Sequence, residues 1–317
     1  MFPKLTVAFL LMVSLQRGGG GGGGQGFGPP PGDPTQFELL AKKLKLDERK
    51  QLPDVQRLFS SIATEAVPLA EEMMQQRLRM LQVIDDGPAL RSASDAYSSL
   101  AARMVTVEIR AFDELRPLLK PNQLSNTVEA FELMAGLFHP VASGSGGGRR
   151  PGGGAPSFEA ALQRGGGGGT GGGTGTGGGR RGGGAGGMGG FSAPSRMLTL
   201  TLMLSLTEEQ KKSVKKLMDD EYRAAEPLRK ALTTTREPIG IAIRDRAEGP
   251  VINQTVSAYA MAVTAMAVHE MKALARIVAL VPQDAGAGPA AIQPLASTMR
   301  GAFVGKKWDM APDLRSY

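Results

Sequence analysis

The stretch LSLTEEQKKSV (residues 204–214) decides how the chain is read. Leu204 and Leu206 bracket one residue, Thr207 follows, and Gln210 sits three places after it. Threonine with glutamine three residues on spells a capping box at the start of a helix. Thr207 accepts from the Gln210 amide while the Gln210 side chain reaches back to the Thr207 amide. A blurred copy, LKLDERKQLPDV, stands at 44–55. There Asp47 can cap, but Lys50 occupies the glutamine position, so half a box is expected.

The two stretches open segments of about 105 residues that match each other. Val55, Leu58, Pro68, Leu69 and Ile84 correspond to Val214, Leu217, Pro227, Leu228 and Ile243 at one offset. After a three-residue slip, Gly87, Pro88, Tyr97, Met104 and Glu108 correspond to Gly249, Pro250, Tyr259, Met266 and Glu270. The offset also shifts by one residue between Lys50 and Val55. An internal duplication is expected, as two similar domains or two halves of one, each able to bury a modest core.

Periodicity within each copy is helical. Val55, Leu58, Ile62, Ala66, Leu69, Met73, Met80 and Ile84 form one stripe. Ala93, Tyr97, Leu100, Met104, Val107, Ala111, Leu115 and Leu118 form a second, after the turn DDGP. Two long helices in an antiparallel hairpin follow. Pro68 and Pro227 fall inside the first long helix of each copy and predict a bend. LLKPNQ (118–123) and ALVPQD (279–284) place proline at the start of a last helix. MLTLTLMLSL (197–206) alternates like a strand, but its match to FELLAKKLKL (37–46) favours a helix.

Glycine-rich tracts surround these copies. The expected organisation is a signal peptide over 1–16, a disordered Gly/Pro-rich segment over 17–35 and helical copy one over 36–140. A disordered Gly/Arg-rich linker over 141–196, copy two over 197–305 and a tail over 306–317 complete the chain. The linker carries +5 of the net charge of +7, and the copies carry −2 and +2, so neither predicts a basic groove. A flexible linker of that length spans roughly 35–42 Å root-mean-square, enough for the copies to pair as an intramolecular pseudo-dimer, with a two-chain homodimer as the alternative. PSFEAALQR (156–164) is a helix-capable island within it. At the N-terminus, Lys4 and the apolar run 5–15 have the build of a signal peptide, and no later segment is expected to cross a membrane.

The pairing of L-T-x-x-Q with L-T-P-x-Q resembles the Spy/CpxP family of exported periplasmic proteins. LSLTEEQ matches at Leu206, Thr207 and Gln210; LKLDERK keeps Leu46 and places Asp47 at the cap. LKPNQ keeps Leu119, Pro121 and Gln123, with Lys120 in the threonine place, and LVPQD keeps Leu280 and Pro282. The resemblance implies an all-α fold of curved hairpins and periplasmic location. It implies ATP-independent binding of unfolded or misfolded proteins on a concave face, or regulation of a membrane sensor kinase or response to metal.

Chemistry is sparse. With two histidines, no cysteine and no nucleophile–base spacing, neither an enzyme nor a cofactor is expected. Glu71-Glu72, Asp85-Asp86 and Asp219-Asp220-Glu221 read as solvated faces rather than metal ligands. His269 takes the place of Val107 on the apolar stripe, as a core residue or, functionally, a pH sensor; His139 ends a helix before Pro140. Met73, Met74, Arg77, Arg79 and Met80 are the expected client surface, chosen by position. Methionines including Met261, Met266 and Met271 suit either core packing or an adaptable surface. RRPGGG and RRGGG resemble RNA-binding segments, but few aromatics interleave with them, so nucleic acid is not the expected partner.

Overall fold

The computed structural model describes residues 34–135, 137–138, 195–281 and 289–310. The signal peptide, both glycine tracts, the 156–164 island, His139 and Pro282 lie outside the described residues. Within them the chain is all-α, with no strand. The first segment holds α1 (Pro34–Leu44), α2 (Leu52–Gln82), α3 (Gly87–Leu115) and α4 (Thr127–Leu133). The second holds α5 (Arg196–Leu204), α6 (Glu208–Ala224), α7 (Glu226–Arg244), α8 (Gly249–Ala279) and α9 (Pro289–Met299).

The alternating stretch 197–206 is helix α5, for local reasons. Ser195 caps it by accepting from the Leu198 amide at 3.2 Å, and Leu200 and Leu204, one turn apart, are buried. The guanidinium of Arg196 fastens its start to the carbonyls of Thr298, Trp308, Arg300 and Met310. Both α1 and α5 end on a left-handed residue, Lys45 (φ 52°) and Ser205 (φ 49°). The next leucine then bonds back into the helix, Leu46 to the Ala41 carbonyl at 3.0 Å and Leu206 to that of Thr201 at 3.2 Å. The Leu-x-Leu spacing is this helix stop.

The capping box forms at α6: the Gln210 amide donates to Thr207 Oγ1 at 3.3 Å and Gln210 Oε1 accepts from the Thr207 amide at 2.8 Å. The first segment was expected to keep half a box, yet it closes one too. Asp47 accepts from the amides of Arg49 and Lys50, and Gln51 Oε1 accepts from the Asp47 amide at 3.0 Å. The extra residue moves the glutamine from the third place to the fourth. Those two amide bonds hold the Asp47 carboxyl below its ordinary pKa. Each glutamine then donates across its hairpin, Gln51 to the Leu118 carbonyl at 2.7 Å and Gln210 to that of Leu280 at 3.4 Å. Gln123 completes the first clasp. Its amide pairs both ways with that of Gln51, donates to the Lys45 carbonyl and accepts from the Lys120 amide.

The prolines act differently from expectation. α2 runs unbroken through Pro68, but the corresponding helix stops at Ala225 and restarts at Glu226, placing Pro227 in a first turn. Arg229 explains the difference: its guanidinium takes the Tyr222 carbonyl at 2.8 Å and stacks 4.1 Å over the Tyr222 ring. Ala70 stands at the matching place in α2 and offers nothing to a freed carbonyl. Pro121 does not start α4 directly; a turn and a 3-10 turn over Leu124–Asn126 come first, and the helix begins at Thr127.

A two-helix hairpin has only one layer and cannot enclose its own apolar stripe. The buried side chains of both segments therefore join one cluster rather than two cores. α2 packs on α3 and α7 on α8; α3 and α2 then meet α8 across the middle. The last helices cross over: α4 lies on α7 and α9 on α2. Gly240 permits the first crossing, since a Cβ there would sit 3.1 Å from Val128 Cγ1 and 3.3 Å from Val128 Cα. The sequence reading expected no membrane-length apolar segment beyond the N-terminal run, yet α8 is long and apolar enough by composition, with mean hydropathy 1.3 over an 18-residue window. It is enclosed by α2, α3, α6, α7 and α9.

Lys45 and Arg246 hold left-handed conformations that cost a side chain about 1 kcal/mol or more. Lys45→Gly and Arg246→Gly are expected each to raise stability by roughly 0.5–1 kcal/mol, read as a higher urea midpoint at unchanged m-value.

Candidate functional site

Pro68 removes one backbone donor from α2 beside α3. Where it faces α3 and the start of α8, an open groove of about 480 Å³ runs between the three helices. Its floor is apolar, formed by exposed Pro68 over buried Leu69 and Val107, with Ala102 beside them. Its rim is charged: Arg110 pairs with Glu65 and, at 3.8 Å, with Glu114, and Arg103 stands 3.7 Å from Glu72. The hydrogen bond that Arg110 donates to Glu65 raises the Arg110 pKa above its ordinary value. Asn253, Val256 and Ser257 of the second segment form the far wall, so neither segment makes the groove alone. Chemically it is an amphiphilic trough, suited to an apolar segment with flanking charges of either sign.

Two buried ion pairs hold these walls together. Arg77 of α2 donates to Glu270 of α8 at 2.5 Å, with side chains 1% and 0% exposed. Arg236 of α7 meets Glu108 of α3 at 2.7 Å. Arg77 and Arg236 match at the offset of the first set of sequence matches, and Glu108 and Glu270 at that of the second. The same contact therefore occurs twice with the segments exchanged. Arg236 also donates to the Phe131 carbonyl at 3.1 Å and lies 4.4 Å over the Phe131 ring and 5.0 Å over that of Tyr259. Burial opposes its charge, but Glu108 and Tyr259 outweigh it and raise its pKa.

Tyr97 lies against Arg77 and Tyr259 against Arg236. Burial pushes both phenols up, Tyr259 to about 12, although the adjacent guanidiniums pull the other way.

The expected client surface is corrected at three of its five positions. Met73 and Met80 are buried in the core and Arg77 is consumed by Glu270; Met74 is half-buried and Arg79 is exposed. Met266 and Met271 are buried too, whereas Met261 is 63% exposed. Of the motif residues, Leu119 and Leu206 are buried and Leu280 is 40% exposed; with Leu46, Asp47, Thr207, Gln210 and Gln123 they shape helix ends, while Pro121 opens a turn. His269 is half-buried against the Phe303 ring, with Nε2 at 3.1 Å from the Glu221 carbonyl and 3.3 Å from its carboxylate. Glu221, expected on a solvated face, is instead buried and also pairs with Arg276. Glu221 and Arg276 border a second groove of about 400 Å³ between α6 and α8. Among the described residues no three His, Cys, Asp or Glu side chains gather as a metal site.

The reading by periodicity missed Arg236, Gln51 and the groove. Arg236 carried a signal, the repeat of Arg77 at the shared offset. No protein-family model, curated protein or solved structure matches the chain.

Removing one partner of a buried pair strands the other. Arg77→Met is expected to cost about 3–5 kcal/mol in urea unfolding, and Arg77→Met with Glu270→Leu to regain most of it. Alkali gives a second check. The folded state keeps the Tyr259 proton that the unfolded state releases from about pH 10. Stability is therefore full below pH 10 and falls as pH rises toward about 12, by on the order of 2–3 kcal/mol. Tyr259→Phe is expected to flatten that fall in denaturation measured at successive pH values.

Proposed function

We propose that the chain is a duplicated helical-hairpin protein of the periplasm that holds unfolded or misfolded proteins without ATP. Its copies pair within one chain as a pseudo-dimer. The observation that carries this reading is the groove over Pro68. Its mixed-charge rim and the ring of Pro68 are open to solvent above buried Leu69, Val107 and Val256, a surface that would bind by composition rather than by one shape. The reciprocal Arg–Glu pairs support the duplication, as do the two capping boxes with their matching bonds to Leu118 and Leu280. Export rests on the reading of residues 1–16. The resemblance to the Spy/CpxP family supports the client class. The client surface moves from the Met73–Met80 region to the groove.

The test is aggregation of a denatured, unrelated protein followed by light scattering, with no ATP. Suppression near equimolar ratio is expected. Ala102→Glu with Thr106→Glu places charge over the groove floor from partly exposed positions and is expected to weaken suppression about tenfold at unchanged helical content. Equal suppression by this variant, or none by the folded wild type, would refute the reading.

A further inference from the structure

The contacts between the two segments are reciprocal. Arg77 of the first meets Glu270 of the second, and Arg236 of the second meets Glu108 of the first. α4 crosses onto α7 and α9 onto α2. A surface of this kind is self-complementary in the way of a two-fold dimer. None of these contacts uses the connection between Phe138 and Ser195, so the surface does not distinguish a second segment of the same chain from that of another copy.

We propose that this surface also takes a second copy of the chain: two chains folding together exchange segments, residues 34–138 of each pairing with residues 195–310 of the other. The inference rests on the duplicated-hairpin reading. Its consequence falls on the groove, whose wall at Asn253, Val256 and Ser257 is then supplied by the partner copy. An exchanged dimer carries two such composite grooves, and a client with two apolar segments gains avidity from holding both.

Charge reversal separates pairing within a chain from pairing between chains. In a chain with Arg77→Glu, two carboxylates face each other at the first junction; in one with Glu270→Arg, two guanidiniums do. Within either chain the junction repels. Between the two chains, both junctions are restored. The full-length variants, one of them isotopically heavy, are unfolded, mixed, refolded and weighed by native mass spectrometry. A mixed-mass dimer is expected, on the order of tenfold above the dimer in either variant alone. Wild-type light and heavy chains refolded together are expected to give mixed dimers that rise with chain concentration. Monomers alone in both experiments would overturn the proposal, as would dimers equally abundant in Arg77→Glu alone. The single-chain double variant Arg77→Glu with Glu270→Arg separates the two readings. If it refolds as a stable monomer while the mixture yields no dimer, exchange fails and pairing within the chain stands. If it too stays unfolded and nothing dimerises, the reciprocal pairing falls with the exchange.

Discussion

Two guanidiniums and two carboxylates, Arg77, Arg236, Glu108 and Glu270, lie out of water in one helical core and pair across the middle of the molecule. Burying a charge alone costs several kcal/mol. Each segment supplies one arginine and one glutamate to the two pairs, on different helices. Sliding α2 along α8, or α7 along α3, by one turn would break the pair between them. The pairs therefore act less as a source of net stability than as a register that the apolar stripes alone, rich in alanine and methionine, do not impose.

Much else follows from that register. With α3 and α8 held side by side, α4 and α9 are carried across to the opposite segment, and Gly240 lets α4 approach closely. The groove over Pro68 is likewise a product of the pairing, since one wall comes from α8. The helix ends are tied separately. Gln51, Gln123 and Gln210 clasp the start of one helix to the end of another, so these residues serve architecture.

The helices were legible because their stripes are long and periodic, and α5 was legible only through its match to α1. The full box at α6 was written in Thr207 and Gln210. The one at Asp47 was hidden, because one extra residue put Gln51 a place further on. The pairing of Glu108 with Glu270 as matched positions was visible, but a carboxylate on a helix reads as solvated until its partner is known. Arg77 was visible too, and was read as surface for the same reason. The break at Pro227 was illegible, since it depends on Arg229 reaching a carbonyl and the ring of Tyr222. The groove could not be read at all, because its floor joins residues far apart in the chain.

The unbroken α2 and the divided α6–α7 give the two arms different mechanics. α2 stays one helix although Pro68 leaves one gap in its ladder of backbone bonds, so that arm is continuous. At Ala225 the helix divides, and beside the remaining backbone bonds from Ala225 to Glu221 and from Arg229 to Ala225 the side chain of Arg229 also holds the arm. A molecule built from nearly matched arms thus has one elbow.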